Sequence, residues 1–376
     1  MKKLLVFLVI ALTAFVLFKC HSKKDPKNPA ASIAIQKKSM GFFEGQEIFE
    51  YTMENPSGMQ VSVMTYGAAI SNVVTPDKNG EMQSVVLGFD SLSHYTGWQN
   101  SLMGSVVGRV ANRISNKKFT IDGQEYTLTS DIHGGEKGFD KRVWTCKEIP
   151  HTDKQSLAMF YHSEDGEEGF PGNLKVTITY TLTNNNELVI DYHATTDKAT
   201  PVVLTNHSYF NLSGGKDENV RNTWLTIFAD QFLEFGEGSY PTGKVLDVKN
   251  TAFDFLAPKK IGESIDELPL TNGYDVTFVL NNDSAKLVLA AHAFEPLSGR
   301  VMEVYTTEPG VVFYSGNWLS ENVTGRNGVP FTQHGAFCLE TQHFPNSPNI
   351  PEFPNTILRP GETFTSQTIY KFSNQK

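Results

Sequence analysis

The sequence predicts an all-β protein, a β-sandwich or barrel, on three observations. Short stretches alternate apolar and polar residues with a period of two. Turn formers interrupt the chain throughout, with 30 Gly and 18 Pro, and aromatic residues reach 11%, a composition that suits short strands. No stretch keeps a helical period over four turns. Many short strands without intervening helices point to a sandwich or barrel.

The clearest element is a hairpin. In Lys175–Leu182 (KVTITYTL), Val176, Ile178, Tyr180 and Leu182 fall on one face and Lys175 with three threonines on the other. Asn184, Asn185 and Asn186 turn the chain, and Glu187–Ala194 (ELVIDYHA) returns with Leu188, Ile190, Tyr192 and Ala194 on one side. Further strands are predicted at Gln60–Tyr66, Trp224–Phe228, Lys286–Ala290, Val301–Tyr305 and Val311–Tyr314. No linker, charge block or repeat divides the chain beyond its first 34 residues, so one large β domain is expected over 35–376.

The start of the chain differs. Lys2 and Lys3 precede an uncharged run from Leu4 to Phe18, and Cys20 follows. The run is long for a signal-peptide core and short for a membrane span. A secreted protein, an uncleaved anchor and a signal processed elsewhere all fit. The cysteine favours a lipoprotein signal over residues 1–20 with Cys20 lipidated, although Lys19 stands where a small residue is usual. The protein is then exported, periplasmic or lipid-anchored, and residues 21–34 form a flexible tether. Beyond Cys20 only Cys146 and Cys338 remain, too few and too far apart for a disulfide framework or a zinc site. A net charge of −9 argues against nucleic acid as a partner, since phosphate backbones call for basic patches.

Several motifs fail. Gly238–Val245 (GSYPTGKV) lacks the hydroxyl that would meet magnesium in a phosphate loop and has Pro241 inside it. There is no HExxH, CxxC or GxSxG. Asp165–Gly169 (DGEEG) reads as a solvated turn between strands, although its three carboxylates would also suit a glycosidase.

Unusual chemistry gathers in five segments. Val107–Ile114 (VGRVANRI) carries two arginines in an otherwise apolar strand pattern, and Ile132–Asp140 (IHGGEKGFD) places His133 before two glycines. Thr205–Asn211 (TNHSYFN) holds His207, Asn272–Asp275 (NGYD) offers a carboxylate, and Gly335–Gln342 (GAFCLETQ) embeds Glu340 in an apolar run. If the last is a strand, Phe337 and Leu339 share one face while Cys338 and Glu340 share the other. A carboxylate so placed is expected to be partly buried, and buried carboxylates need partners or a task.

These segments carry a resemblance. GRVANRI (108–114), HGGEKGFDKRVW (133–144), DGEEGFPG (165–172), TNHSYFNL (205–212), NGYD (272–275), FYSGN (313–317), FCLETQ (337–342) and LRPGE (358–362) occur in the order and at the separations of the aldose 1-epimerase (galactose mutarotase) family. VVLGF (85–89), PTG (241–243), TAFDF (251–255) and EVYTTEPG (303–310) complete the set, so the likeness spans about Gly45 to Phe372. It implies the galactose mutarotase-like supersandwich and a cofactor-independent isomerase, without metal, that interconverts the α and β anomers of hexoses such as glucose and galactose. It further implies Glu340 as the general base on O1 and His207 as the general acid toward the ring oxygen, with Asn112, Arg113, His133 and Asp275 holding the sugar hydroxyls. On ordinary pKa values Glu340 would be ionised and His207, beside it, would hold its proton. Phe139, Tyr209 and Trp318 would stack on the sugar or fill the core. One departure stands out: Val312 lies where some members carry a glutamine that contacts the sugar, which leaves the preferred hexose open. A lectin that kept the cleft without turnover, and a glycoside hydrolase with a second carboxylate near Glu340, are the competing readings.

Overall fold

The predicted hairpin forms, and the largest sheet is built around it. Leu174–Thr183 pairs antiparallel with Glu187–Thr196 in the register Leu182↔Leu188. Asn186, at the end of the three-residue turn, sits in the left-handed region at φ 60°, which asparagine enters more readily than most residues. The computed structural model describes residues 34–282 and 285–375. The expected tether to residue 34 and the lipidation site Cys20 lie outside them, apart from the tether's last residue.

The hairpin occupies a nine-stranded sheet in the order Lys259–Lys260, Trp224–Ile227, Val288–Phe294, Arg300–Thr306, Phe364–Asn374, Glu187–Thr196, Leu174–Thr183, Lys154–Ser163, Thr145–Ile149. Two five-stranded sheets accompany it. One is a meander from Gln36–Phe43 to Met82–Ser84, and the other carries the candidate site. All strand pairings within these three sheets are antiparallel among the described residues. The other predicted strands are found with small shifts: Gln60–Met64, Trp224–Ile227, Val288–Phe294, Arg300–Thr306 and Gly310–Tyr314. Leu92–Thr96 is the one α-helix among the described residues.

Period-two alternation places one face of each sheet in a shared core. Ile178, Tyr180, Ile190 and Val304 from the large sheet join Met53, Val61 and Val73 from the meander and Phe278, Val311 and Leu339 from the site sheet in one cluster. These are fully or almost fully buried side chains, each contributing about 1.5–3 kcal/mol relative to exposure.

One expectation needs correction. Val107–Ile114 reads as a strand, but only Val106–Val107 pairs as one, with Thr205–Asn206. The rest is irregular backbone, tied by single bridges from Val110 to Val203 and from Arg113 to Ile132. Arg109 explains why such a path holds. Its guanidinium is buried and donates to the carbonyls of Pro171 and Gly172 at 2.8 and 3.0 Å and to Ser163 Oγ at 2.6 Å. Burial pushes its pKa down to about 10, with Glu167 and Asp165 opposing that shift. Arg109 is thus the hydrogen-bonded hub that holds the loop before Asn112 and Arg113. Arg109→Met should cost about 3–5 kcal/mol in chemical denaturation, because it strands several buried acceptors. An unchanged midpoint and slope would show that the loop does not depend on it.

Candidate functional site

The site is built on one face of the second five-stranded sheet. Its order is Pro241–Asp247, Gln231–Phe235, Asp275–Val279, Gly310–Tyr314, Cys338–Gln342. The register aligns Asp275, Tyr314 and Cys338 in one row across three strands. Thr277, Val312 and Glu340 form the next row. The opposite face sends Val276, Phe278, Val311, Phe313 and Leu339 into the core. The predicted sharing of a face by Cys338 and Glu340 is therefore observed, and Glu340 is more deeply buried than expected, at 2% exposure.

His207 reaches this face from a clamped segment. Its N–H donates to Ser105 O at 2.9 Å, and its carbonyl accepts the Gly104 N–H at 3.0 Å. Asn206 Nδ2 donates to Gly104 O at 2.7 Å, while its Oδ1 accepts from Ser208 N and Oγ, an Asx turn that sets the chain direction at His207. On the other side, Thr205 Oγ1 donates to Thr341 O and Phe210 N to Phe337 O. The imidazole is 4% exposed and stacks on Tyr209 with ring centroids 4.9 Å apart. Its Nε2 lies 3.6 Å from Glu340 Oε1, and its Nδ1 lies 3.5 Å from Cys338 Sγ.

Asn112, Arg113 and His133 come from two loops that lock together. His133 N donates to Asn112 O at 2.9 Å, and Asn112 N donates to His133 Nδ1 at 3.3 Å. The second bond makes Nδ1 an acceptor, so the neutral ring carries its proton on Nε2. The His133 ring meets that of His207 edge-on at 5.6 Å. Gly134 permits this approach: at φ 83° a Cβ there would lie 1.9 Å from Gly108 O. A cleft beside the pair is lined by Asn112, Arg113 and Asp275 with Thr277, Val312 and Pro241. All six residues singled out in the sequence thus meet around one face. A larger cavity bounded by Val86, Arg326 and Phe331 contains none of them.

The charges differ from the expectation. Burial pushes Glu340 up to about 8; the Asp275 carboxylate adds to the rise and Arg113 opposes it. Burial pushes His207 down to about 4. Asp275 is raised by burial, against Arg113, and His133 is held well below its usual value by burial and by His207 and Arg113. Ionised Glu340 facing protonated His207 is therefore not the resting form. Desolvation, the largest cause at both groups, favours the neutral acid with the neutral imidazole across their 3.6 Å separation. The number of protons is nonetheless the same: the pair holds one.

Other features are also placed. DGEEG lies between strands Lys154–Ser163 and Leu174–Thr183 with Asp165 exposed, as expected, but Glu167 and Glu168 are partly buried: both pair with Arg142 at 3.4 Å, and Glu167 accepts from Tyr161 and Ser163 at 2.7 Å. Phe139 is core, Tyr209 packs on His207 rather than facing the cleft alone, and Trp318 is 68% exposed. The donor atoms of His207, Cys338 and Glu340 lie within 4.8 Å of one another. The sulfur and the carboxylate, however, face different nitrogens of the ring, an arrangement of two hydrogen-bond partners rather than of ligands around one ion. Sequence reasoning missed Thr277 and Tyr314 as site neighbours. Strand register, which joins them to Glu340 and Cys338, is the signal that finds both.

Residues 50–371 match the family described as aldose 1-epimerase. The chain is 43% identical to galactose mutarotase of Homo sapiens over 320 residues, covering 84% of this chain and 91% of that protein. It is 38% identical to aldose 1-epimerase of Escherichia coli K12 over 339 residues, covering 88% and 96%. Among solved structures, an aldose epimerase homologue from C. elegans has a TM-score of 0.80 at 30% identity, covering 87% of this chain and 99% of that one. Galactose 1-epimerase from Lactobacillus acidophilus has a TM-score of 0.79 at 27% identity, covering 91% and 100%. With its sheet order, its buried acid–imidazole pair and these likenesses together, the chain belongs to the aldose 1-epimerase family.

Proposed function

We propose that Glu340 and His207 carry the two proton transfers by which this aldose 1-epimerase interconverts the α and β anomers of hexoses such as glucose and galactose. The observation behind this reading is the buried contact of 3.6 Å between Glu340 Oε1 and His207 Nε2, with Glu340 Oε2 free of any protein partner among the described residues. Ring opening needs a base on the O1 hydroxyl and an acid on the ring oxygen. The Glu340 carboxylate takes the O1 proton as the carbonyl forms, the C1–O5 bond breaks, and the His207 imidazolium gives its Nε2 proton to O5. Rotation about C1–C2 presents the other face, and reclosure returns both protons. Opening turns carboxylate and imidazolium into acid and neutral imidazole, the combination that burial favours. The closed sugar must therefore stabilise the charged combination through O1–H and O5, and desolvation then assists the step that removes the charges.

Asn112, Arg113, His133 and Asp275 are assigned to the sugar hydroxyls. Arg113 offers several donors, His133 a single Nε2–H, and Asp275 accepts. This places Asp275, the second carboxylate near Glu340, on binding rather than on hydrolysis. Polarimetry on fresh α-glucose and α-galactose tests the assignment. His207→Ala and Glu340→Gln should each lower kcat by about 10²–10⁴ with sugar binding by calorimetry largely kept. Binding without any acceleration by the wild type would favour the lectin reading, and release of reducing ends from an oligosaccharide the hydrolase.

The one-proton requirement sets the pH dependence. Below about 4 both groups hold protons and no base remains, and above about 8 neither does and no acid remains. The enzyme-dependent kcat/KM should form a broad plateau between two limbs near those values, after subtraction of the buffer rate. A profile falling from an acid limb near pH 6.5 would show that burial does not control His207.

We infer export from residues 1–20, with lipid on Cys20 as the membrane attachment. The charged n-region, the apolar run and the cysteine support it. Mass spectrometry of the mature N-terminus should show an acylated Cys20. An intact Met1 or cleavage elsewhere would overturn it.

A further inference from the structure

The proposed chemistry uses one nitrogen of His207 and leaves the other to be explained. Nε2 faces Glu340, and Nδ1 faces Cys338 Sγ at 3.5 Å. Cys338 is 0% exposed, and it shares its strand face with Glu340, two residues away. We propose that Cys338 is a positioning residue: its sulfur accepts a hydrogen bond from His207 Nδ1–H and so keeps Nε2 as the nitrogen that exchanges the catalytic proton. This rests on the acid–base reading of His207.

When Glu340 is protonated and His207 neutral, recovery of the proton from O5 needs a lone pair on Nε2. A neutral imidazole has one N–H, which must then be on Nδ1. When His207 holds the catalytic proton, both nitrogens carry hydrogen, and Nδ1–H still needs an acceptor. A buried N–H left without one is destabilising, because it has given up water for nothing. Cys338 Sγ is the side-chain atom within reach of Nδ1 among the described residues. Burial and the neighbouring Glu340 and Asp275 carboxylates keep it a thiol, whose sulfur accepts weakly. The rival acceptor is the His207 carbonyl, which takes the Gly104 N–H at 3.0 Å on one of its two lone pairs; the tautomer in Cys338→Ala separates the two acceptors.

The other groups around the ring do not compete for Nδ1. Tyr209 stacks flat on it, and Tyr314 and His133 meet it edge-on at 6.3 and 5.6 Å. Arg113 and Asp275 act on Glu340. A weak acceptor also suits an acid. A carboxylate at this position would stabilise the imidazolium and make its proton harder to give; a thiol does so far less.

The test reads the tautomer directly. Long-range ¹⁵N–¹H correlation spectra of histidine-labelled protein, with His207 assigned by its loss in His207→Asn, should show Nδ1 protonated and Nε2 unprotonated at pH 6–7 in the wild type. Cys338→Ala should shift a substantial part of His207 to the Nε2–H tautomer and lower kcat about 10-fold, with KM changed less than 2-fold. Cys338→Ser, which restores an acceptor, should recover the tautomer and most of the rate. An unprotonated Nδ1 in the wild type would overturn the proposal, since Cys338 would then be the donor. So would an unchanged tautomer in Cys338→Ala, or a Cys338→Ser variant as slow as Cys338→Ala, which marks a packing role. If His207→Ala keeps full activity, the acid–base reading itself fails, whatever Cys338 does to the ring.

Discussion

A carboxyl group and an imidazole that share one proton in a buried site set the constraint to which the remaining structure answers. Neither group is stable as an ion there without help, and the two ions together would need each other or a ligand. Burial moves Glu340 up and His207 down, so their affinities for the proton are reversed from the order found in water. Burial favours the neutral form, and the proposed chemistry calls for the charged form with sugar in place. On that proposal the binding of the closed sugar, rather than solvent, prepares the base and the acid.

Such a pair must be held from several directions. Glu340 is fixed by the central rows of a sheet, with Val312 directly opposite it and Thr277 one strand further. His207 is fixed by backbone bonds to the Gly104–Ser105 segment on one side and by Tyr209 below. Asn112 and His133 lie on irregular backbone, both at positive φ, 61° and 53°. Irregular backbone of that kind persists only where its surroundings determine it, and Arg109 does so by gathering the carbonyls of the neighbouring loop. The nine-stranded sheet contributes no residue to the predicted site; its part is the core against which the site sheet rests.

The fold was legible wherever a strand has one wet face. Leu174–Thr183 and Glu187–Thr196 alternate cleanly because one side meets the core. Val107–Ile114 misled because its apolar residues are buried by irregular packing, and periodicity cannot separate a buried loop from a buried strand. DGEEG misled in the opposite sense: glycines and carboxylates look solvated until an arginine from another loop, Arg142, is placed beside them. The site residues were legible as a set through resemblance. Their charges were not, because ionisation is decided by burial and by neighbours remote in sequence, such as Arg113 and Asp275 beside Glu340.

Val312 shows what register adds to a motif. By resemblance its position is where a glutamine can contact the sugar; in the sheet it stands directly across from Glu340. A valine there offers no donor, and Glu340 Oε2 has no partner among the described residues. Two consequences follow from one methyl-lined contact. The carboxyl group keeps its lone pairs for the sugar rather than sharing them with a side chain. It is also less solvated, in the direction of the raised Glu340 pKa. Whatever contact to sugar the amide would supply must come instead from Asn112, Arg113, His133 or Asp275. On the proposed roles, discrimination among hexoses falls on Asn112, Arg113, His133 and Asp275, which supply the donors and acceptors, and less on the strand face that carries Val312.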